Sequence, residues 1–399
     1  MSIFFIFLSA IGLTSSFFLL GSVSLTKVGF LFFITLFTLM FLKFKKVFIR
    51  ISFFDVSVFL TLILAIVSQY HTVNLNESLP IVQSYIYYSV LYLITRTYFY
   101  NYPAHINIAL KGLLFALLIS CIFGFLQFIT GSGYMPGTPI RSIVTNGVYR
   151  ACGLFDDPNY FGLVLACISP LCFLIKSKSW GYSLYAIFAV AILTTLSRAS
   201  LIIMLIQFIF YFYSVNKNKT IFVLKFFSIL VIIVPVFVLL KPDFIVDRMA
   251  TLLPMLSGNT GQLENSSAER LDLIFAGIKM FLDYPILGLG FGNFQLYTEF
   301  YMDFFPRKVF AHNSYLTILT ELGIVGFIVW FIPLCILFIR VNKHNCAIGC
   351  SLIGLFFSYF FLVAIYFQFL AFFLAIIVTA YQKVNMGKIE LTMKLSTKL

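Results

Sequence analysis

Residues 311–327 read AHNSYLTILTELGIVGF, and they close a polar stretch that begins at Lys241 in a chain otherwise made of apolar runs. The run opens on a histidine and turns within a few residues into an apolar segment of helical length. It therefore marks a crossing from an aqueous face into a membrane interior. Upstream, from Lys241 onward, charges, glycines and aromatics are dense; elsewhere in the chain they are not. The fold follows from this contrast: a membrane scaffold carrying one long outer segment.

Hydrophobic residues make up 61% of the 399 positions and charged ones only 10%, and the mean hydropathy is +1.02. A soluble chain cannot bury that much apolar surface, so the class is a polytopic membrane protein. The 51 Phe and 22 Tyr suit lipid-facing packing and interfacial belts. Six of the seven cysteines fall in or beside apolar runs and only Cys152 lies in a long polar loop, so neither a disulfide framework nor a metal cluster is expected. The first apolar run lacks a basic leader and a cleavage site, and reads as a first helix rather than a removed signal peptide.

Runs long enough to cross a bilayer fall at 2–20, 24–42, 51–69, 81–99, 106–130, 158–175, 180–197, 199–215, 221–240, 313–339, 345–363 and 365–382. The expectation is an all-α membrane bundle of about twelve transmembrane helices. Residues 1–240 would hold nine of them, with outer loops at 70–80 and 131–157. Residues 241–312 would form the large outer loop, 313–382 the last three helices (split by a tight turn near 364–368), and 383–399 a cytoplasmic tail. With the N-terminus inside, Lys43, Lys45, Lys46, Arg50, Arg96 and the other basic residues of the inner connections are opposed only by Asp55 and Glu390. The net charge of +13 is then a topology signal, both termini are cytoplasmic, and no nucleic acid is needed to explain it.

Four clusters gather on the outer face. In VYRACGLFDDPNYFG, Asp157-Pro158 suits a helix cap followed by proline at the first helical position, which leaves Arg150 and Asn159 unexplained. In TTLSRAS, Arg198 sits in a tight hairpin at the membrane boundary, as a snorkelling anchor or as a bidentate anion contact. Ser266-x-x-Glu269 reads as a capping box opening an amphipathic helix, with Leu271, Ile274, Phe275, Ile278 and Phe281 on one face and Pro285 at its end. Arg270 in its first turn would either pair with Glu269 or Asp272 or build a phosphate seat with the helix N-terminus. Gly288, Gly290 and Gly292 do not follow a strand and make no dinucleotide fingerprint; they let the backbone turn closely against the bundle. Last come Arg307, Lys308, His312 and Asn313, where the imidazole is either a polar boundary group or a base near neutral pH. Glu321, inside the following span, would pair with an arginine or face the outer interface.

The run R-x-x-G-x-F-x-x-P-N-x-F-G at 150–162, Ser197-Arg198-Ala199, Arg270 followed by PILGLGFGNF, and His312-Asn313-Ser314-Tyr315-Leu316 ahead of ELGIVGF occur in order. Together, over residues 140–330, they resemble the O-antigen ligase and polymerase superfamily of bacterial polysaccharide assembly. The resemblance implies a GT-C-like bundle in the bacterial inner membrane, with its active site facing the periplasm. It implies a glycan on undecaprenyl diphosphate as donor, and transfer without nucleotide sugar, metal or other cofactor. By the same resemblance His312 is the general base, Arg198 and Arg270 are the diphosphate contacts, and Arg150, Asn159 and Asn313 belong to the substrate loops. A chain-length regulator protein is a candidate partner. Polymerase is the preferred activity and ligase the alternative. A lipid-linked glycan transporter fits less well, since the ionisable groups concentrate on one face rather than at mid-membrane.

Overall fold

The computed structural model describes residues 18–20, 23–43, 49–131, 144–145, 148–216, 265–303 and 307–387, with single positions at Ile6, Gly12 and Thr220. Most of the span expected at 2–20 and of the loop at 131–157, the span at 221–240, the first part of the long outer loop and most of the tail at 383–399 lie outside the described residues. The described helices are α1 (Leu25–Lys43), α2 (Phe53–Val67), α3 (Leu75–Asn101), α4 (Ile106–Thr130), α5 (Pro158–Ile168), α6 (Lys178–Thr195), α7 (Arg198–Val215), α8 (Asn265–Asp283), α9 (Phe294–Tyr301), α10 (Ser314–His344), α11 (Cys346–Ser358) and α12 (Gln368–Asn385). Two short antiparallel hairpins pair Phe18–Leu20 with Val23–Ser24 and Val144–Thr145 with Val148–Tyr149. The architecture is thus a helical, polytopic bundle.

Five described stretches are long and apolar enough to cross a membrane: Phe53–His71, Pro103–Thr130, Arg198–Val215, Ser314–His344 and Gln368–Asn385. The apolar stretches Pro158–Leu174 and Cys346–Ser358 are shorter. Outward-facing side chains such as Phe59, Ile66, Ile129 and Ile328 are exposed apolar groups, as a lipid-facing surface requires. In the interior α12 packs on α3, α11 on α7 and α5, and α10 on α2.

One buried cation bolts three of these helices together. Arg96 is fully buried, and its Nε and Nη2 each lie 2.9 Å from a carboxylate oxygen of Asp55. Its remaining donors reach Thr379 Oγ1, Gln382 Oε1 and the Arg50 carbonyl, while Tyr92 donates to the same carboxylate. Each nitrogen of the guanidinium therefore has an acceptor, which is what lets a charge survive away from water. The two residues counted among the inner charges of the sequence neutralise each other here.

Three boundaries differ from the sequence expectation. The outer loop expected at 70–80 shrinks, because Asn74 caps α3 through the Asn76 N–H and the helix starts ahead of Pro80. Proline so near the start removes a single main-chain bond and does not stop the helix. The separation of α11 and α12 holds the tight turn expected near 364–368, with the Phe367 N–H donating to Ala364 O at 3.2 Å, but it is longer, a largely buried connection over 359–367. Such backbone inside an apolar bundle needs internal partners. Ser314 supplies them: its N–H donates to Tyr359 O, its hydroxyl donates to Leu362 O and accepts from Ala364 N–H. Tyr160 donates to Val363 O at 2.9 Å. Finally, α8 already runs at Asn265, so Ser266 lies within it and does not precede it as a capping box. Glu269 instead pairs with Arg307.

Candidate active site

The site is built on a break in α10. At Gly323 the backbone leaves helical geometry (φ 64°, ψ −167°), dividing the helix into 314–322 and 324–344. The break exposes two carbonyls and two N–H groups, and the segment 285–290 docks on them. Leu289 and Gly290 donate to Thr320 O and Glu321 O at 3.0 and 2.9 Å, and Ile324 and Val325 donate to Pro285 O and Ile286 O at 2.9 and 3.3 Å. Only glycine fits at the two contact points. A Cβ on Gly288 would lie 2.4 Å from the Glu321 carbonyl carbon, and one on Gly323 would lie 2.2 Å from Ile286 O. This is the close turn against the bundle that the glycine spacing suggests.

Glu321 completes the joint. Its carboxylate is buried and accepts from the Phe294 N–H at 3.0 Å. Among the described residues it pairs with no arginine, and it is buried away from the outer interface; it anchors the glycine loop where α9 begins. The other side of that loop is gripped by the turn after α2: Gln69 Nε2 donates to Phe291 O, Phe291 N–H to Ser68 Oγ, and Thr72 Oγ1 to Asn293 Oδ1.

From this joint α8 leans on the start of α10. Leu273, Ala276, Gly277 and Met280 are buried, and Gly277 faces Leu316 so closely that a Cβ would stand 2.5 Å from Leu316 Cδ2. The stripe Ile274, Phe275 and Ile278 is therefore turned outward and exposed. That orientation brings Arg270, exposed near the start of α8, into the electrostatic neighbourhood of His312.

His312 itself occupies the left-handed region at φ 50°, two residues before α10. The next residue fixes it: Asn313 caps α10 by accepting from the Leu316 N–H at 3.0 Å. His312 keeps an exposed face, yet the atoms crowded around its ring and the Arg270 cation hold its pKa below the usual 6.5, against the opposing pull of Asp157 and Glu269. The imidazole is thus neutral around pH 7, with one ring nitrogen able to accept a proton.

Asp157 connects this half of the site to the other. It caps α5 by accepting from the Asn159 and Tyr160 N–H groups. Arg150, nearly buried, donates from Nε to Thr195 O at 2.9 Å and from Nη2 to Asn159 Oδ1 at 3.0 Å. Ala151 N–H donates to Thr194 O. The α6–α7 turn, with Leu196 at φ 54°, is therefore tied to the start of α5, and half-buried Arg198 opens α7 directly after it. Gly162 permits this approach, since a Cβ there would meet Ser200 Oγ at 2.1 Å. The structure thus ties Arg150 and Asn159 to the turn that carries Arg198, while Arg270 and Asp157, the cap of α5, act on His312 only through their charge. Missing from the sequence reading were the Gly323 break and the anchoring role of Glu321. The signal available for them was a glycine two residues after a carboxylate inside an apolar run.

Arg150→Lys tests the first group. A lysine has no planar fork to reach the Thr195 carbonyl and Asn159 together. The expected loss is about 1–3 kcal/mol of stability, read as an earlier thermal midpoint in detergent.

Comparison with known proteins gives a family match: the family model described as O-antigen ligase covers residues 183–331, from α6 through the Gly323 break of α10. It includes Arg198, Arg270 and His312, and it bears out the resemblance to the O-antigen ligase and polymerase superfamily. No curated protein matches the chain.

Proposed function

We propose, with the O-antigen ligase family match over residues 183–331 as premise, that this membrane enzyme is an O-antigen polymerase. It joins undecaprenyl-diphosphate-linked repeat units on the periplasmic face of the inner membrane, within a GT-C-like bundle. His312 takes the proton of the acceptor hydroxyl as its oxygen attacks the anomeric carbon. The bond from that carbon to the diphosphate oxygen breaks, and undecaprenyl diphosphate leaves with the electron pair. One displacement gives inversion and calls for no metal. Arg198 and Arg270 meet the charge that grows on the diphosphate, where fixed cations stabilise the transition state more than the ground state. Arg150, Asn159 and Asn313 keep the flanking loops in place.

The observation that carries this reading is the electrostatic company of His312: an imidazole kept toward its neutral form by the Arg270 cation, with the Asp157 and Glu269 carboxylates pulling the other way. Removing either clamp charge, by Arg198→Ala or Arg270→Ala, should lower turnover on lipid-linked repeats roughly 100- to 1,000-fold. Near-normal rates in both variants would refute the clamp.

The ligase reading draws support from the wording of the family description. Reconstituted protein given lipid-linked repeats alone separates the two. A polymerase lengthens the glycan on its lipid carrier, whereas a ligase leaves it unchanged until lipid A–core is added.

A further inference from the structure

At the end of the bundle away from His312, a cavity of about 490 Å³ opens where α2 begins and where α10 and α12 end. Its lining includes Arg50, Phe53, Leu337, Arg340, Val378 and Gln382. We infer that this cavity holds the headgroup of an anionic glycerophospholipid, with Arg50 and Arg340 on the phosphate.

Charge is the first reason. Arg50 and Arg340 are both exposed, and among the described residues neither has a carboxylate within ion-pair reach. The nearby acid, Asp55, is fully engaged by Arg96, Tyr92 and the Ser52 N–H. Two guanidinium groups in one concave site therefore await an anion, and guanidinium is the side chain best shaped for phosphate oxygens.

The walls decide what kind of anion. Ile51, Phe53 and Val56 are exposed apolar side chains on the rim. A free phosphate would leave them facing water, whereas a phospholipid covers them with its glycerol and acyl chains. Position agrees: the candidate spans Phe53–His71, Ser314–His344 and Gln368–Asn385 all have one end here, so the cavity sits at the depth of headgroups. By the distribution of basic residues this is the cytoplasmic end, where basic pockets between helices meet anionic lipid.

The site is also built in advance. The Arg50 carbonyl accepts from Arg96 Nη2 at 3.1 Å and from Gln382 Nε2 at 3.2 Å, which fixes the chain entering α2. The Arg340 guanidinium lies 5.3 Å over the Phe53 ring. The main chain carrying Arg50 and the head of Arg340 are thus placed before any ligand arrives, which lessens the ordering cost of binding. The inference stands apart from the proposed transfer reaction, which uses neither arginine.

The test is lipid titration of the delipidated full-length protein by native mass spectrometry and thermal shift. Phosphatidylglycerol is compared with phosphatidylcholine, and inorganic phosphate is added in large excess as competitor. Wild type should bind phosphatidylglycerol in preference and be stabilised by it. Arg50→Gln and Arg340→Gln should each weaken binding about fivefold, and the pair together roughly 30-fold. Lys308→Gln, which removes an exposed pair with Glu77 at the other end, should leave it unchanged. The inference is overturned if the double variant retains phosphatidylglycerol like wild type, if phosphatidylcholine binds equally, or if inorganic phosphate alone displaces the lipid.

Discussion

His312→Asn lowers turnover on lipid-linked repeats about 100- to 10,000-fold, the range a positioned general base supplies, while the protein stays folded. Asparagine suits the experiment because His312 lies at φ 50°, a conformation that asparagine adopts readily and alanine does not. His312→Ala combines loss of the base with backbone strain; His312→Asn isolates the base. Equal losses in both variants assign the effect to the imidazole. A loss confined to His312→Ala would assign it to the backbone and remove His312 from the reaction. The pH profile gives a second readout. The acting form is neutral, so activity is lost as pH falls through the pKa, and local loss of hydration together with Arg270 holds that pKa below the usual 6.5. The acid limb should therefore lie under pH 6.5. Removing the cation by Arg270→Gln lets the imidazolium form more easily, so the limb should move to higher pH, apart from any fall in the plateau.

What the sequence made legible follows the range of the forces involved. Apolar runs announce helices, because membrane crossing is a property of composition over some twenty residues. Asp157-Pro158 announces a cap, because capping is settled within four residues. The glycines at 288, 290 and 292 announce a close backbone approach, and their φ values of 71°, 102° and 82° bear it out. The partner of that approach was not legible, since it lies some thirty residues on, at a break in an apolar helix that reads as continuous. The same holds for Arg96 and Asp55, separated by 41 positions. Each looks like a topology charge until the fold brings them together. The amphipathic stripe of α8 was legible as a stripe but not as to side. Small residues, Ala276 and Gly277, let the opposite face approach α10, and the larger apolar side chains turn outward. Of the candidate site, the sequence offers the side chains and their order, but not the Thr195 and Asn159 contacts by which Arg150 ties the α6–α7 turn to α5.

Gly323→Ala should be the most damaging single substitution in the described chain. Its backbone angles (φ 64°, ψ −167°) lie outside the regions open to residues with a side chain, which alone costs about 1–3 kcal/mol. The added methyl would also stand 2.2 Å from Ile286 O and 2.3 Å from Ile286 C, atoms of a main chain that cannot rotate aside. Segment 285–290 would have to lift, and the four main-chain bonds across the break would be lost with it. Buried groups left without partners cost about 1–3 kcal/mol each, so the sum approaches the whole stability of an ordinary domain. Gly131→Ala is the control: φ is 62°, but nothing lies within 4 Å of its would-be Cβ, so only the conformational strain remains. The two proteins should separate clearly in detergent-extracted yield and thermal midpoint. Activity should follow, because the docked loop is what holds α8, and with it Arg270, against the start of α10. A Gly323→Ala protein with the midpoint of wild type and full turnover would mean that the joint does not hold the site. A folded protein of reduced stability whose acid limb has moved toward pH 6.5 would instead show Arg270 drawn away from His312, linking the break in the helix directly to the proton-accepting group.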